Sequence, residues 1–398
     1  MKKKFYKKAV KLVAIVLSAC SLLSVTVKAE SREQRGTHPE STIETAAFDV
    51  DCRSAILVEA NTNTVLYEKN ADEALPPASV TKVMTLLLVM EAIESGRISY
   101  SDMVRVSANA CSMGGSQIYL KENEEMSVEE LLKSVVIASA NDAAVALAEH
   151  VYGSEEAFVE RMNQRAAELE MTNTNFENTN GLDDTVENHV ISARDISIMS
   201  RELIKYPKIT EYSSIWMDSI RNGSFGLTNT NRLIRFYKGA TGLKTGSTDK
   251  AGFCISATAE RDGMSLICVV MGADTKDKRN AIATRLLDYG FNNFRMFSDD
   301  GKKIEDIPIL RGEKERFTAE YPPIKMIVPK DTGKISAGVS VFERIEAPIN
   351  KGDIVGVVSY SNGKDEICQV DIIASENVKK CGFFDLFKQF LKKCAEIL

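Results

Sequence analysis

The spacing of apolar and polar residues divides the chain into stretches of different character. Behind the basic Met1–Lys8, the stretch Leu12–Val27 is apolar, broken only by small or hydroxylated residues. That is the pattern of an export signal. Residues 30–48 are polar and punctuated by Gly36 and Pro39, so they read as a linker. From Ala55 the pattern becomes strand-like: Ala55–Glu59, a turn at Asn61–Asn63, then Val65–Tyr67. This predicts a hairpin. A helix-rich stretch follows to Tyr206, and strand-like runs return at Gly252–Ala259 and Ser265–Met271. Beyond Gly301 only short strands with turn signals are read, such as Asp353–Ser359 and Glu366–Ile373 joined through Asn362-Gly363. The end of the chain, Phe383–Leu398, sorts its apolar residues onto one arc of about 160° at 100° per residue. Four of them are Phe383, Phe384, Phe387 and Phe390, and the rest of the helix surface carries Lys388, Lys392 and Lys393. An amphipathic helix of this kind at a chain end predicts attachment to a membrane surface.

Composition narrows the function. Hydrophobic residues make up 44% of the 398 positions and charged residues 27%, as in globular proteins, which excludes wholesale disorder and a polytopic membrane protein. Residues 1–29 hold seven lysines and no acid, so their removal takes the formal net charge from −6 to −13. So acidic a body argues against nucleic acid as a partner. His38, His150 and His189 lie far apart and no cysteines stand at zinc spacing, so neither a metal nor another cofactor is expected. Export could end in cleavage after Ala29, in a retained anchor, or in lipidation of Cys20. Cleavage is preferred because Leu22, Leu23, Val25 and Val27 continue the apolar run past Cys20. Cys254 and Cys268 fall in neighbouring strand-like runs. They could bridge, but buried free thiols are the preferred reading.

Three short motifs carry chemistry. Pro76-Pro77-Ala78-Ser79-Val80-Thr81-Lys82 opens an apolar helix that runs to Glu94 with Gly96 as its stop. The S-x-x-K spacing puts Ser79 and Lys82 on one face. A lysine amine among apolar neighbours has a depressed pKa and can take the proton of a serine hydroxyl. Two further S-x-x-K pairs, Ser247/Lys250 and Ser361/Lys364, begin no helix. Ser139-Ala140-Asn141 lies between the helical patterns Val128–Ile137 and Asp142–Val151, and reads either as a helix cap or as a proton relay with an amide-binding group. Lys244-Thr245-Gly246 stands at the start of a strand-like run reaching Ser256. A cation and a hydroxyl there can hold a carboxylate, with a glycine that lets another backbone lie close.

In this order and context the three motifs resemble those of the penicillin-binding and serine β-lactamase superfamily. Gly114-Gly115-Ser116-Gln117, Asn180-Gly181-Leu182 and Thr241-Gly242-Leu243 are similar to the same group, over roughly Ala47 to Phe294. Most closely the chain resembles a low-molecular-mass penicillin-binding protein, a serine-type D-alanyl-D-alanine carboxypeptidase like those of peptidase family S11. The resemblance implies an α+β chain. A transpeptidase-like domain, a helical cluster on an antiparallel sheet, covers residues 49–296. A small β-sandwich-like domain covers 297–377, and the amphipathic helix 378–398, after the signal at 1–29 and the linker at 30–48. The implied substrate is a peptidoglycan stem peptide ending in D-Ala-D-Ala, with β-lactam antibiotics as covalent inhibitors, at the outer face of the cytoplasmic membrane or in the cell wall. The implied catalytic residues are Ser79 as nucleophile, Lys82 as base and Ser139 as proton relay. Asn141, Lys244, Thr245, Gly246 and Ser247 would bind substrate, the backbone N–H groups of Ser79 and Ser247 forming the oxyanion pocket. Gly115, Ser116 and His189 read as structural or rim positions. The alternatives are a DD-endopeptidase, a class A-like β-lactamase and a wall-binding module without activity. A class A enzyme uses a glutamate with an asparagine four residues on; here Glu177 is followed at that offset by Gly181 and Glu187 by Ile191.

Overall fold

The computed structural model describes residues 48–382 apart from Thr185 and Lys364. The export segment, the linker through residue 47 and the helix expected over Phe383–Leu398 lie outside the described residues.

Strands β1 (Ser54–Glu59) and β2 (Thr64–Lys69) form the hairpin that the Asn61–Asn63 turn predicts. Two short antiparallel pairs follow, β3 (Met103–Arg105) with β4 (Glu125–Ser127) and β5 (Met217–Ile220) with β6 (Phe225–Thr228). Strands β7 (Ala240–Thr248), β8 (Gly252–Arg261) and β9 (Met264–Ala273) complete an antiparallel five-stranded sheet in the order β2-β1-β9-β8-β7. Alternation along each strand feeds two cores. Ile56, Val58, Ile267 and Val269 face a helical cluster that contains Lys82–Glu94, Val128–Ala138, Asn141–Tyr152 and Ala193–Leu203. Ala55, Leu57, Leu266 and Cys268 face the helix Lys276–Asn293 on the other side. Because both faces are buried, these strands read as continuous apolar runs. The helix Lys82–Glu94 is buried on nearly every side, as expected of a central core helix. Cys254 and Cys268 are free thiols in different cores, pointing to opposite faces of the sheet.

The chain then enters β10 (Phe294–Asp299), β11 (Lys302–Pro308), β12 (Arg316–Tyr321), β13 (Ile324–Pro329), β14 (Ser336–Val341), β15 (Ile354–Ser361) and β16 (Glu366–Ala374). Five of these form a second sheet, β11-β12-β16-β15-β14, around their own core, while β10 pairs with β13. Three limits differ from the sequence reading. Phe48, assigned to the linker, stacks on Tyr67 at 5.1 Å and packs against the second core. Strand β10 runs across the 296/297 limit, held by its pairing with β13. Val378–Gly382 is extended rather than helical: Val378 bridges Ile349 and Lys380 bridges Gly312, so backbone pairing to the β domain outweighs helix formation there.

Candidate active site

Ala78–Thr81 forms one turn of 3-10 helix, continued by the helix Lys82–Glu94. That turn brings the lysine back beside the serine: Lys82 Nζ lies 2.9 Å from Ser79 Oγ. Lys82 is fully buried. Its amine also meets Asn141 Oδ1 at 2.6 Å and the Asn180 carbonyl at 2.7 Å. None of these partners is a carboxylate. Burial therefore drives the amine's pKa well below that of a free lysine, helped by nearby Lys244 and opposed by Asp142.

Ser139 ends the helix Val128–Ala138 in a left-handed conformation (φ 62°), and Asn141 begins the next helix. The N-cap of that helix is Ala140, without a side-chain cap, so neither side chain acts as the cap the sequence offered: Ser139 meets Lys244 and Asn141 meets Lys82. The loop of Gly114, Gly115 and Ser116 braces Asn141. Its Nδ2 donates to Gly114 O at 2.7 Å and its backbone N–H to Ser116 O at 2.7 Å. Asp142, fully buried, accepts the backbone N–H groups of Ile118 and Leu120 and so pins the same loop.

Lys244, Thr245 and Gly246 lie in the middle of β7, not at the head of a run reaching Ser256: a hairpin at Asp249–Ala251 separates β7 from β8. Strand β7 is the sheet edge beside the Ser79 turn. Lys244 Nζ, also buried, donates to Ser139 Oγ at 2.8 Å and to its neighbour's carbonyl, Thr245 O, at 2.7 Å. Burial, with the field of Arg279, holds its pKa at about 7. Thr245 Oγ1 donates to Thr230 Oγ1 at 2.8 Å. Gly246 is needed first by the protein itself: a Cβ there would stand 2.7 Å from Ser79 N and 3.0 Å from Pro77 O and Val80 N. Ser247 is exposed on the same strand. The competing pair Ser247/Lys250 is no catalytic couple, since Lys250 is exposed and its amine turns to Val186 O at 3.4 Å.

The residues singled out from sequence therefore gather where β7 meets the Ser79 turn and the Ser139–Asn141 connection, with exposed Ser247 next to Gly246 on the strand. Sequence reasoning missed the Asn180 carbonyl, Thr230 and Arg279. The Asn180-Gly181 pair announces a turn, but a backbone acceptor leaves no signature of its own.

This geometry has known counterparts. Residues 40–275 match the family model described as D-alanyl-D-alanine carboxypeptidase, and residues 291–380 match the C-terminal domain of penicillin-binding protein 5. The chain belongs to this carboxypeptidase family. The D-alanyl-D-alanine carboxypeptidase DacF of Bacillus subtilis is 42% identical over 349 residues, which is 85% of this chain and 89% of that one. The crystal structure of penicillin-binding protein 5 from Haemophilus influenzae superposes with a TM-score of 0.74 at 30% identity, covering 84% of this chain and all (100%) of the other. Penicillin-binding protein D2 of Listeria monocytogenes, solved in an ampicillin-bound form, gives a TM-score of 0.57 at 32% identity over 62% of this chain and 100% of that one. The protein is a serine-type D-alanyl-D-alanine carboxypeptidase with the two-domain fold of these relatives: an α+β transpeptidase-like domain followed by a β-rich one.

Proposed function

We propose that the protein removes the terminal D-alanine of peptidoglycan stem pentapeptides through an acyl-enzyme on Ser79, and that β-lactams trap the same serine. The observation that carries this reading is the buried Lys82 amine, 2.9 Å from Ser79 Oγ and without a carboxylate partner. Neutral Lys82 takes the Ser79 proton as Oγ attacks the carbonyl between the two D-alanines. The oxyanion forms between the N–H groups of Ser79 and Ser247, where one donor is worth roughly 3–4 kcal/mol. The tetrahedral adduct then collapses, the C–N bond breaks, and the departing amine takes a proton through Ser139. Water, deprotonated by the same base, hydrolyses the ester and restores Ser79. Asn141 orients the substrate amide, while Lys244 and Thr245 hold the terminal carboxylate. Among the described residues no carboxylate hydrogen-bonds Lys82 Nζ, which supports this over a class A-like β-lactamase. Export through residues 1–29 and the amphipathic Phe383–Leu398 would place the enzyme at the outer face of the cytoplasmic membrane.

The test is intact-protein mass spectrometry of the chain lacking residues 1–29, mixed with benzylpenicillin, followed by peptide mapping. A long-lived adduct on the Ser79 peptide is expected, together with release of D-alanine from a pentapeptide. Rapid loss of the adduct with consumption of the drug would move the reading to a β-lactamase.

The carboxylate role of Lys244 carries its own prediction. With a pKa of about 7, the amine is charged below that pH and neutral above it. Acylation efficiency by a carboxylate-bearing β-lactam should therefore fall about tenfold per pH unit above that point, as for any group needed in its charged form. An esterified analogue, lacking the carboxylate, should show no such alkaline limb. A limb common to both compounds would assign it to another group.

A further inference from the structure

A second hydrogen-bonded chain reaches the nucleophile turn from behind. The backbone N–H of Glu177 donates to His189 Nδ1 at 2.9 Å. Nδ1 is thereby the acceptor nitrogen and Nε2 carries the proton. Nε2 donates to Thr81 Oγ1 at 2.7 Å, and Thr81 in turn donates to the carbonyl of Ala78 at 2.8 Å. Thr81 is fully buried and His189 is 5% exposed. Burial lowers the imidazole pKa to about 4, so the ring stays neutral and the direction of the chain is fixed at neutral pH.

The carbonyl at the end of this chain belongs to a residue in an unusual conformation. Ala78 has φ +47°, a region that a non-glycine residue occupies only when its surroundings hold it there. Gly181 presses on the same oxygen so closely that a Cβ would lie 1.8 Å from it. One residue earlier, the Asn180 carbonyl accepts from Lys82 Nζ. The peptide leaving Ala78 supplies the N–H of Ser79. The first N–H groups of a helix have no intrahelical acceptor, so this one is free to face an oxyanion.

We infer that His189 is a positioning residue of the reaction: through Thr81 it holds the left-handed Ala78 turn and so aims the Ser79 backbone N–H at the developing oxyanion. This rests on Ser79 being the acylated serine. The chain matters in the transition state more than in the resting complex, because the N–H meets full negative charge only as the tetrahedral adduct forms.

Four variants separate this from a packing role. Thr81→Val and His189→Asn break the link to Ala78; asparagine still accepts from Glu177 but does not reach Thr81. Thr81→Ser and His189→Gln preserve it; glutamine reaches Thr81 but cannot replace Nδ1 as acceptor for Glu177. Stopped-flow acylation by benzylpenicillin yields the acylation rate constant and the non-covalent binding constant separately, and thermal melts accompany each variant. The link-breaking pair should lose about 10–100-fold in the rate constant, the scale of a small misplacement of reacting groups. Their binding constants should be unchanged, and the link-preserving pair should stay near wild type. Unchanged rate constants in Thr81→Val would overturn the inference, as would equal losses in His189→Gln and His189→Asn that track their melting temperatures. If His189→Asn fails to fold, Thr81→Val against Thr81→Ser decides alone. Failure of wild-type Ser79 to acylate would instead remove the catalytic reading beneath it.

Discussion

Replacing Lys82 with methionine should slow acylation of Ser79 by about 10²–10⁴-fold, the range that a positioned general base contributes. Methionine matches the lysine stem in length and suits an apolar slot, so the slot stays filled while the base is lost. Three groups lose a hydrogen-bond partner in the variant: the Ser79 hydroxyl, Asn141 Oδ1 and the Asn180 carbonyl. Each unsatisfied buried group costs about 1–3 kcal/mol, offset in part because a hard-to-bury amine is no longer held out of water. The fold should therefore survive with a lower melting temperature. Benzylpenicillin kinetics would show the loss in the acylation rate constant, with the non-covalent binding constant held. In wild type the same rate constant should fall as the pH is lowered through the depressed pKa of Lys82, because protonation removes the base. A methionine variant that acylates within about tenfold of wild type would place the base elsewhere.

Lys82 could be found in the sequence because its context is local. A serine three residues before a lysine, at the opening of an apolar helix after Pro76-Pro77, needs only helix geometry to become a pair 2.9 Å apart. Ser139 and Asn141 were legible for a related reason, since they sit in the gap between two strongly patterned helices. Lys244 was harder to place. Strand β7 is buried through its KTG segment, and the hairpin at Asp249–Ala251 has a glycine only at its far end, so the run looked continuous into β8. The bond from Lys244 to Ser139 joins residues 105 positions apart and has no local signal. His189 lies 108 positions from Thr81 and meets it through a buried ring. Hydrogen-bond partners of this kind emerge from packing, and neither periodicity nor spacing encodes them.

Gly246→Ala should damage both the fold and the reaction through a single methyl group. Its Cβ would stand 2.7 Å from Ser79 N and 3.0 Å from both Pro77 O and Val80 N, and all three are backbone atoms. No side chain can rotate away, so β7 and the Ser79 turn must separate. Overpacking of that kind costs about 1–3 kcal/mol, and a melting curve should show it. The larger effect is catalytic. The methyl covers the proposed oxyanion donor on Ser79 and moves it away from Ser247, Lys244 and Thr245, which all ride on β7. Loss of one oxyanion donor costs about 10²–10³ in rate, and acylation by benzylpenicillin should fall by that amount even where the variant is fully folded. Gly226→Ala is the matching control. It too lies in a strand, β6, but nothing stands within 4 Å of its added Cβ and its φ is not left-handed. Its stability should change by no more than about 0.5 kcal/mol, and its acylation rate should not change. If Gly246→Ala behaved like that control, the close approach of β7 to the nucleophile turn would have no part in forming the oxyanion pocket.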